Sequence, residues 1–462
     1  MGSDWNSMPI RDLPIHIGDG NYSNKYPKAC DFLAKGVPFI TASDFRNGRI
    51  APENFRFISK EQHSTLKKGH LKSGDVLVVT RGNGIGDIAW VDSDYNNCNI
   101  NAQLVLFRTD QKTLYNKYLY YLLSSAEYKE CFVSFSSGSA QPQLPIKALK
   151  LVEVRYPPLP EQKAIAHILG SLDDKIELTR KMNATLEEMA QSLFKSWFVD
   201  FEPVIDNALV AGNPIPDELA DRAEVRRQAL ANGTANRNAA KPFPDSFQET
   251  EELGWIPEGW EVSTIGQTLD TVLGGTPARN NIEFWTNGTV GWINSGKVNE
   301  FRVVEPSELI TEQALKKSAT KLLPKRTTLL AITGATLGQV SLNEIECCAN
   351  QSVVGIIGND EIPSEYVYSW INQIIEKLIA SQTGGAQQHI NKGNVQEAHI
   401  LLPIATVLND FISQARPAFD QIAVSCFESQ TLTKLRDTLL PKLISGELRI
   451  PEAEQLTEEA LT

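Results

Sequence analysis

The sequence predicts an α+β chain of two similar halves, each a globular mixed α/β stretch followed by a long amphipathic helix. Three observations carry this: a long-range internal repeat, strand–turn–strand patterns within it, and a heptad seam that recurs in the same register in both halves. A length of 462 residues allows two to four domains, each able to bury a core. With 42% hydrophobic and 22% charged residues, a wholly disordered chain is excluded.

The repeat opens with residues 5–10, which resemble residues 260–265. Pro38-Phe39-Ile40 matches Gly291-Trp292-Ile293. Residues 74–91, GDVLVVTRGNGIGDIAWV, align with residues 325–342, KRTTLLAITGATLGQVSL, and both read as strand–turn–strand. Gln103 in NAQLVLF aligns with Gln351 in NQSVVGI. Gly138-Ser139-Ala140-Gln141 aligns with Gly384-Gly385-Ala386-Gln387, and Pro157 with Pro403. From Gly138 onward the halves run without a gap at an offset of 246 residues. Identity is thin, so the repeat rests on pattern.

The first helix carries a seam through Ile165, Leu169, Leu172, Ile176, Thr179, Asn183, Leu186, Ala190, Leu193 and Trp197, with spacings alternating four and three. The second continues it at Phe411, Ala415, Ala418, Ile422, Ser425, Ser429, Leu432, Arg436, Leu439 and Leu443. Both turn polar at the same two steps, which costs stability and fixes register. Gly170 and Pro417 fall at adjacent steps, where each helix is expected to start or bend. Taken alone, either helix fits an amphipathic helix packed on its own domain; the shared register favours a pair.

The expected boundaries are a first domain over 1–160, a central helix over 161–199, a connector over 200–259, a second domain over 260–403, a distal helix over 404–446 and a tail over 447–462. Within the connector, residues 216–231 predict a short helix started by Pro216-Asp217-Glu218 and stopped by Asn232-Gly233, and residues 232–241 read as a loop. The acidic residues 452–462 are expected to fray.

The net charge of −12 argues against nucleic acid until it is divided along the chain. Residues 1–156 are net +4, and every later block is negative. Residues 45–81 hold eight basic side chains against Glu53, Glu61 and Asp75; residues 313–343 hold five and no acid. Such stripes can grip phosphates, because screening limits distant charges to a reach of about 10 Å; a solvated face is the other reading. The six cysteines form no C-x-x-C pair, so neither a zinc site nor a disulfide framework is expected, and a reducing, cytoplasmic compartment fits. No apolar run approaches the roughly 18 residues of a membrane helix, and the start does not read as a secretory signal.

Residues 157–178, PPLPEQKAIAHILGSLDDKIEL, resemble the specificity subunit of type I restriction–modification systems. Residues 243–262, FPDSFQETEELGWIPEGWEV, resemble that family's entry into its second recognition domain, and residues 435–450, LRDTLLPKLISGELRI, its distal helix end. The resemblance spans both halves, although the N-terminus lacks a counterpart of Gly254-Trp255-Ile256-Pro257. It implies two target-recognition domains separated by two long antiparallel coiled-coil helices with pseudo-twofold symmetry. It also implies a non-catalytic subunit that reads a bipartite site on double-stranded DNA. The partners would be two methyltransferase subunits, which carry S-adenosylmethionine for adenine-N6 methylation, and restriction subunits, which use ATP and magnesium. This chain would hold no cofactor and no metal.

Two readers of unlike half-sites must differ in the residues that touch bases, so base contacts are expected in divergent basic and polar stretches. The candidates are Arg46, Asn47, Arg49, Lys67, Lys68, Arg81 and Asn83 in the first domain, and Lys297, Asn299, Lys316, Lys317, Lys325 and Arg326 in the second. Arginine matches guanine and asparagine matches adenine bidentately in the major groove, while lysine holds phosphates. Features common to both halves, such as the Gly138/Gln141 and Gly384/Gln387 loops, are expected to be framework.

Catalytic motifs are weak. Residues 291–298, GWINSGKV, nearly spell a P-loop, but Val298 replaces the magnesium-holding hydroxyl. Gly82, Gly84 and Gly86 lack dinucleotide-loop spacing and fit a hairpin. The run 156–159, YPPL, is not the Asn/Asp-Pro-Pro-aromatic motif of adenine methyltransferases. His389 reads as a DNA contact or a loop histidine. Competing readings are an enzyme using Lys297 at a degenerate nucleotide site, a coiled-coil adaptor without DNA, and a specificity subunit of a related methylation system.

Overall fold

The computed structural model describes residues 5–20, 25–137, 142–381 and 389–461. The chain divides into two compact units, Met1–Glu177 with Thr431–Thr462, and Leu178–Gln430. Two long helices, Leu159–Phe198 and Ala405–Ser445, each contribute one stretch to the first unit and one to the second. At 1.5 Å per residue each is about 60 Å long. Neither starts at Gly170 or Pro417, one of the two outcomes expected there, since both are helical on either side of those residues. The first starts earlier because buried Gln162 locks its opening turn, donating to the carbonyls of Thr113 and Pro157 and accepting from Tyr115 N.

The first unit folds as a six-stranded sheet in the order Ile15–Asp19, Leu104–Thr109, Val76–Val79, Ile88–Trp90, Arg49–Ile50, Phe45–Arg46, beside a three-stranded sheet in which Val37–Ile40 lies between Arg56–Ile58 and Asn99–Ile100. The second repeats the plan with a five-stranded sheet, Asp270–Leu273, Val353–Ile357, Thr328–Ala331, Val340–Asn343, Arg302–Val303. Its second sheet has four strands, Glu308–Ile310, Val290–Ile293, Cys347–Ala349, Leu322–Leu323. Each unit also has a two-stranded ribbon whose later strand leads into a long helix. Asn6 lies opposite Tyr156 in one and Glu261 opposite Leu402 in the other, so the opening strand of the first half has its counterpart despite the missing Gly-Trp-Ile-Pro run.

Strand register corrects the repeat by one residue in two places. Val76 faces Trp90, and Thr328 faces Leu342. This pairs Gly82 with Gly334 and Gly86 with Gly338, and all four have positive φ, where glycine is favoured. The apolar runs VLVV and TLLA carry no register of their own; the turn glycines between the strands do. Likewise Asn101 N donates to Ile40 O and Asn350 N to Ile293 O. The counterpart of Gln103 is therefore Ser352, and Gln351 stands with Ala102. Gly20 and Gly274 back onto these asparagine turns so closely that a Cβ would lie 2.1 Å from Asn101 O or Asn350 O.

In the first unit Ile165, Leu169, Leu172 and Ile176 share one core with Leu432, Leu439 and Leu443 of the other long helix. In the second, Ala190, Phe194 and Trp197 share a core with Phe411, Ala415 and Phe419, and half-buried Leu193 packs against it. There the helices are antiparallel: Asn183 Nδ2 donates to Cys426 Sγ at 3.6 Å, and Phe194 packs on Phe411 at 5.8 Å between ring centroids. Ile422 is buried and Leu186 half-buried. The helices thus pack on each other and on the surrounding domain in each unit.

Within the connector a helix covers Ala220–Ala231 after a 3-10 turn at Asp217–Leu219. The expected loop over 232–241 contains a further helical turn, Arg237–Ala240, because the Asn236 side chain caps it and Ala240 is buried. The expected fraying of 452–462 is also overturned: Ile450–Leu461 is a helix with Ala453 and Thr457 buried and its acids outward. It follows a left-handed residue, Gly446, as the helix Glu202–Ala211 follows left-handed Phe201 at the end of the first long helix. Ending the chain at Gly446 should therefore cost about 2 kcal/mol, a fall of roughly 4–8 °C in thermal melting; an unchanged melt would count against a packed helix.

Candidate nucleic-acid interface

The basic residues divide into those held by carboxylates and those left outward. Arg49 and Arg302 occupy equivalent places, Arg49 opposite Trp90 and Arg302 opposite Leu342. Arg302 has 0% side-chain exposure. Its Nη2 donates to Glu187 of the first long helix at 2.7 Å, its Nη1 to the Tyr368 hydroxyl at 3.2 Å, and its Nε lies 3.8 Å from Glu344. Burial opposes the Arg302 charge, yet Tyr368, Glu187 and Glu344 hold its pKa above the ordinary guanidinium value. Burial pushes the Glu344 carboxyl up against the pull of Arg326 and Arg302. In the first unit Arg49 reaches Asp174 of the same helix at 3.2 Å and Asp92 at 3.4 Å.

Two further candidates are held internally. Arg326 pairs with Glu344 at 2.9 Å and Asp420 at 2.7 Å. Lys297 pairs with Glu300 at 2.8 Å and Glu305 at 3.4 Å. The strand Val290–Ile293 runs into a 3-10 turn, Ser295–Asn299, rather than the α-helix a phosphate loop requires, so the near-P-loop has neither its helix N-terminus nor an outward lysine.

The other candidates sit nearer solvent. Exposed Arg46 donates to the carbonyls of Ser43 and Phe45. Asn47, with φ 51°, and Gly48, with φ 75°, form the turn of the hairpin Phe45–Arg46/Arg49–Ile50, which accounts for this asparagine conformationally. Lys68 reaches Asp19 at 3.2 Å while remaining exposed. Lys67, Asn83, Asn299, Lys316, Lys317 and Lys325 are exposed, with Lys316 and Lys317 in the last turn of the helix Glu312–Lys317. His389 is exposed, and the Gly138/Gln141 and Gly384/Gln387 loops lie outside the described residues. Among the described residues no group of three or more His, Cys, Asp or Glu could hold a metal ion.

Half-buried Arg81 lines a cleft of about 560 Å³ with Thr41, Ser43, Arg56, Gln103 and the rings of Tyr26 and Phe39. In the second unit the place of Phe39 is taken by Trp292 and that of Arg56 by Glu308, which accepts two hydrogen bonds from Arg279 at 2.7 and 2.8 Å. Arg56, Gln103 and Arg279 were not among the expected DNA contacts, although Arg56 lies in the basic stripe 45–81 and Gln103 in the repeat. The signal that could have found them is the aromatic residues at matching places in the repeat, Phe39 with Trp292 and Phe32 with Trp285.

Replacing Arg302 by Met leaves Glu187 buried without its cation, while Glu344 keeps Arg326, and should cost about 3–5 kcal/mol. Chemical denaturation should show much of that loss recovered in the double variant that adds Glu187→Met. A neutral R302M would mean the cluster does not anchor the helix.

The sequence profile of the family described as type I restriction modification DNA specificity domain matches residues 2–188 and 257–414. The type I restriction enzyme HindI specificity subunit of Haemophilus influenzae is 26% identical over 469 residues, covering 96% of this chain and 100% of that one. The type I restriction enzyme MjaIX specificity subunit of Methanocaldococcus jannaschii is 25% identical over 463 residues, covering 97% and 94%. A crystal structure of the type I restriction–modification system S subunit from M. genitalium has the same fold, with a TM-score of 0.55 at 15% identity over 95% of this chain and 96% of that one.

Proposed function

The chain belongs to the type I restriction–modification DNA specificity family, and from that premise we propose that it is the specificity subunit of such a system, reading a split site on double-stranded DNA. Each unit reads one half-site. Two adenine-N6 methyltransferase subunits and the restriction subunits are brought to the site by this chain. S-adenosylmethionine binds in the methyltransferase partner and ATP with magnesium in the restriction partner. The setting is the cytoplasm; among the described residues no helix is long and apolar enough to cross a membrane.

The observation that carries this reading is the contrast between the equivalent places of the two units. Residues turned toward the long helices keep their chemistry, as Arg49 and Arg302 do. Residues on the exposed faces do not, as Arg56 and Glu308 show. A scaffold kept twice with its outward polar groups changed suits two readers of different sequences. Exposed Lys316, Lys317 and Lys325 serve as phosphate contacts, which position the duplex without reading it.

Duplex binding by the chain with its methyltransferase partners should weaken steeply with salt. Replacing Lys316, Lys317 and Lys325 by Gln should lower the slope of log affinity against log salt by about 1 for each phosphate no longer neutralised, with the sequence preference intact. A salt-independent affinity would leave an adaptor without DNA.

The length of the two helices sets the number of unread base pairs. Seven residues added to each, after Glu177 and after Gln430, insert about 10 Å, or roughly three base-pair steps at 3.4 Å each. Methylation mapping in cells carrying this variant should show both half-sites unchanged around a longer spacer. An unchanged spacer would mean that helix length does not set it.

A further inference from the structure

In each unit an outward arginine lies over a pair of aromatic rings, and the arginine arrives from a different place in each. In the second unit Trp285 and Trp292 meet edge to face with ring centroids 5.3 Å apart. The Arg279 guanidinium lies over both rings, 3.8 Å and 4.8 Å from their centroids. Its Nη1 and Nη2 donate to Glu308, yet the side chain remains 51% exposed.

In the first unit the corresponding four places hold Tyr26, Phe32, Phe39 and Arg56. Each 3-10 turn leads into the first ring of the pair: Ala29–Asp31 into Phe32, and Ile282–Phe284 into Trp285. Phe32 and Phe39 lie 5.9 Å apart, and Tyr26 meets Phe39 at 5.5 Å. The Arg56 guanidinium lies over Phe32 at 5.4 Å. Among the described residues the exposed Arg56 side chain makes no hydrogen bond or ion pair. Arg279 therefore stands where the first unit has Tyr26, and Arg56 where the second has Glu308.

Stacking fixes the plane of a guanidinium before any ligand arrives, which lowers the ordering cost of binding to a flat, two-pronged acceptor. Guanine offers such an acceptor in the major groove through O6 and N7. Phosphate can accept the same fork, but a phosphate contact does not depend on guanine N7. The Glu308 carboxylate takes one N–H from each terminal nitrogen of Arg279 and leaves Nε–H and the outer N–H groups for a base edge. Arg302, which holds the domain to the long helix, is enclosed; these two are presented outward.

We propose that Arg279 and Arg56 are specificity-determining residues, each reading one guanine through its major-groove edge. Each serves the half-site of its own unit, and moving the arginine between equivalent places makes the two half-sites differ. This rests on the reading of the chain as a reader of split DNA sites.

The test uses the full chain with its methyltransferase subunits and a duplex carrying the motif methylated in cells. Each guanine in turn is replaced by 7-deazaguanine, which pairs normally but lacks the N7 acceptor. The wild type should lose about tenfold in affinity at one guanine in each half-site. R279K should lose that sensitivity in one half-site and keep it in the other, and R56K should do the reverse. Each variant is compared with itself on two duplexes, so a partly unfolded preparation does not imitate the result. The proposal is overturned if the wild type is indifferent to every 7-deazaguanine, if neither variant changes the pattern, or if both change the same half-site. A wild type that binds the motif and an unrelated duplex equally would overturn the split-site reading itself.

Discussion

The contact on which the second unit depends is the buried one between Arg302 and Glu187. A domain seated on a continuous helix must hold its rotational register there, because a slip of one residue turns a side chain by about 100°. Apolar packing of Phe194, Trp197 and Phe411 supplies the burial, but leucine-like surfaces tolerate small rotations. A charged pair in a dry site does not, since losing its partner leaves a bare charge. Such pairs add little net stability over well-packed hydrophobes, and fixing register is the role they are best suited to. The first unit solves the same problem differently: Asp173 on the helix accepts from the Tyr121 hydroxyl at 2.7 Å and pairs with Arg436 at 2.8 Å. Its Arg49–Asp174 pair lies nearer solvent, where an ion pair is worth less.

Once the seat is fixed, the framework can stay constant while the outer face changes. Tyr118 donates to Arg155 O, and Tyr366 to Leu401 O, each tying a domain helix to the ribbon strand before a long helix. Tyr120 and Tyr368 lie beside Arg49 and Arg302 respectively. None of these residues is free to vary without disturbing the seat. The rings of Phe32, Phe39, Trp285 and Trp292 form a second constant layer, and what rests on them differs.

Much of the architecture was legible in the residues because hydrophobic period and repeat reinforce each other. The seam through Leu169, Leu172, Ile176, Leu432 and Leu439 is a buried line in the structure, and both long helices run through it. Helix ends were less legible, since Gln162 anchors the first helix through groups far along the chain. The helix Ile450–Leu461 looked like an acidic tail because only two of its positions are fully buried. Strand alignment slipped by one residue where a run of apolar side chains on both faces removed the period-2 signal that sets register.

The recognition face was the least legible part, for a reason that charge counting cannot repair. Counting within a window sees only local acids, whereas the carboxylates that hold the arginines come from distant segments. Arg326 meets Asp420 at a separation of 94 residues, Arg302 meets Glu187 at 115, and Arg49 meets Asp174 at 125. A stripe such as 313–343 therefore overstates the positive charge it presents to a ligand. A duplicated chain does carry an internal comparison that escapes this limit. Where both copies keep the residue, as at Arg49 and Arg302, it faces the scaffold. Where both keep an aromatic base but exchange the charged group above it, as at Arg56 and Glu308 or Tyr26 and Arg279, the shared ring provides a platform and the exchanged group provides discrimination.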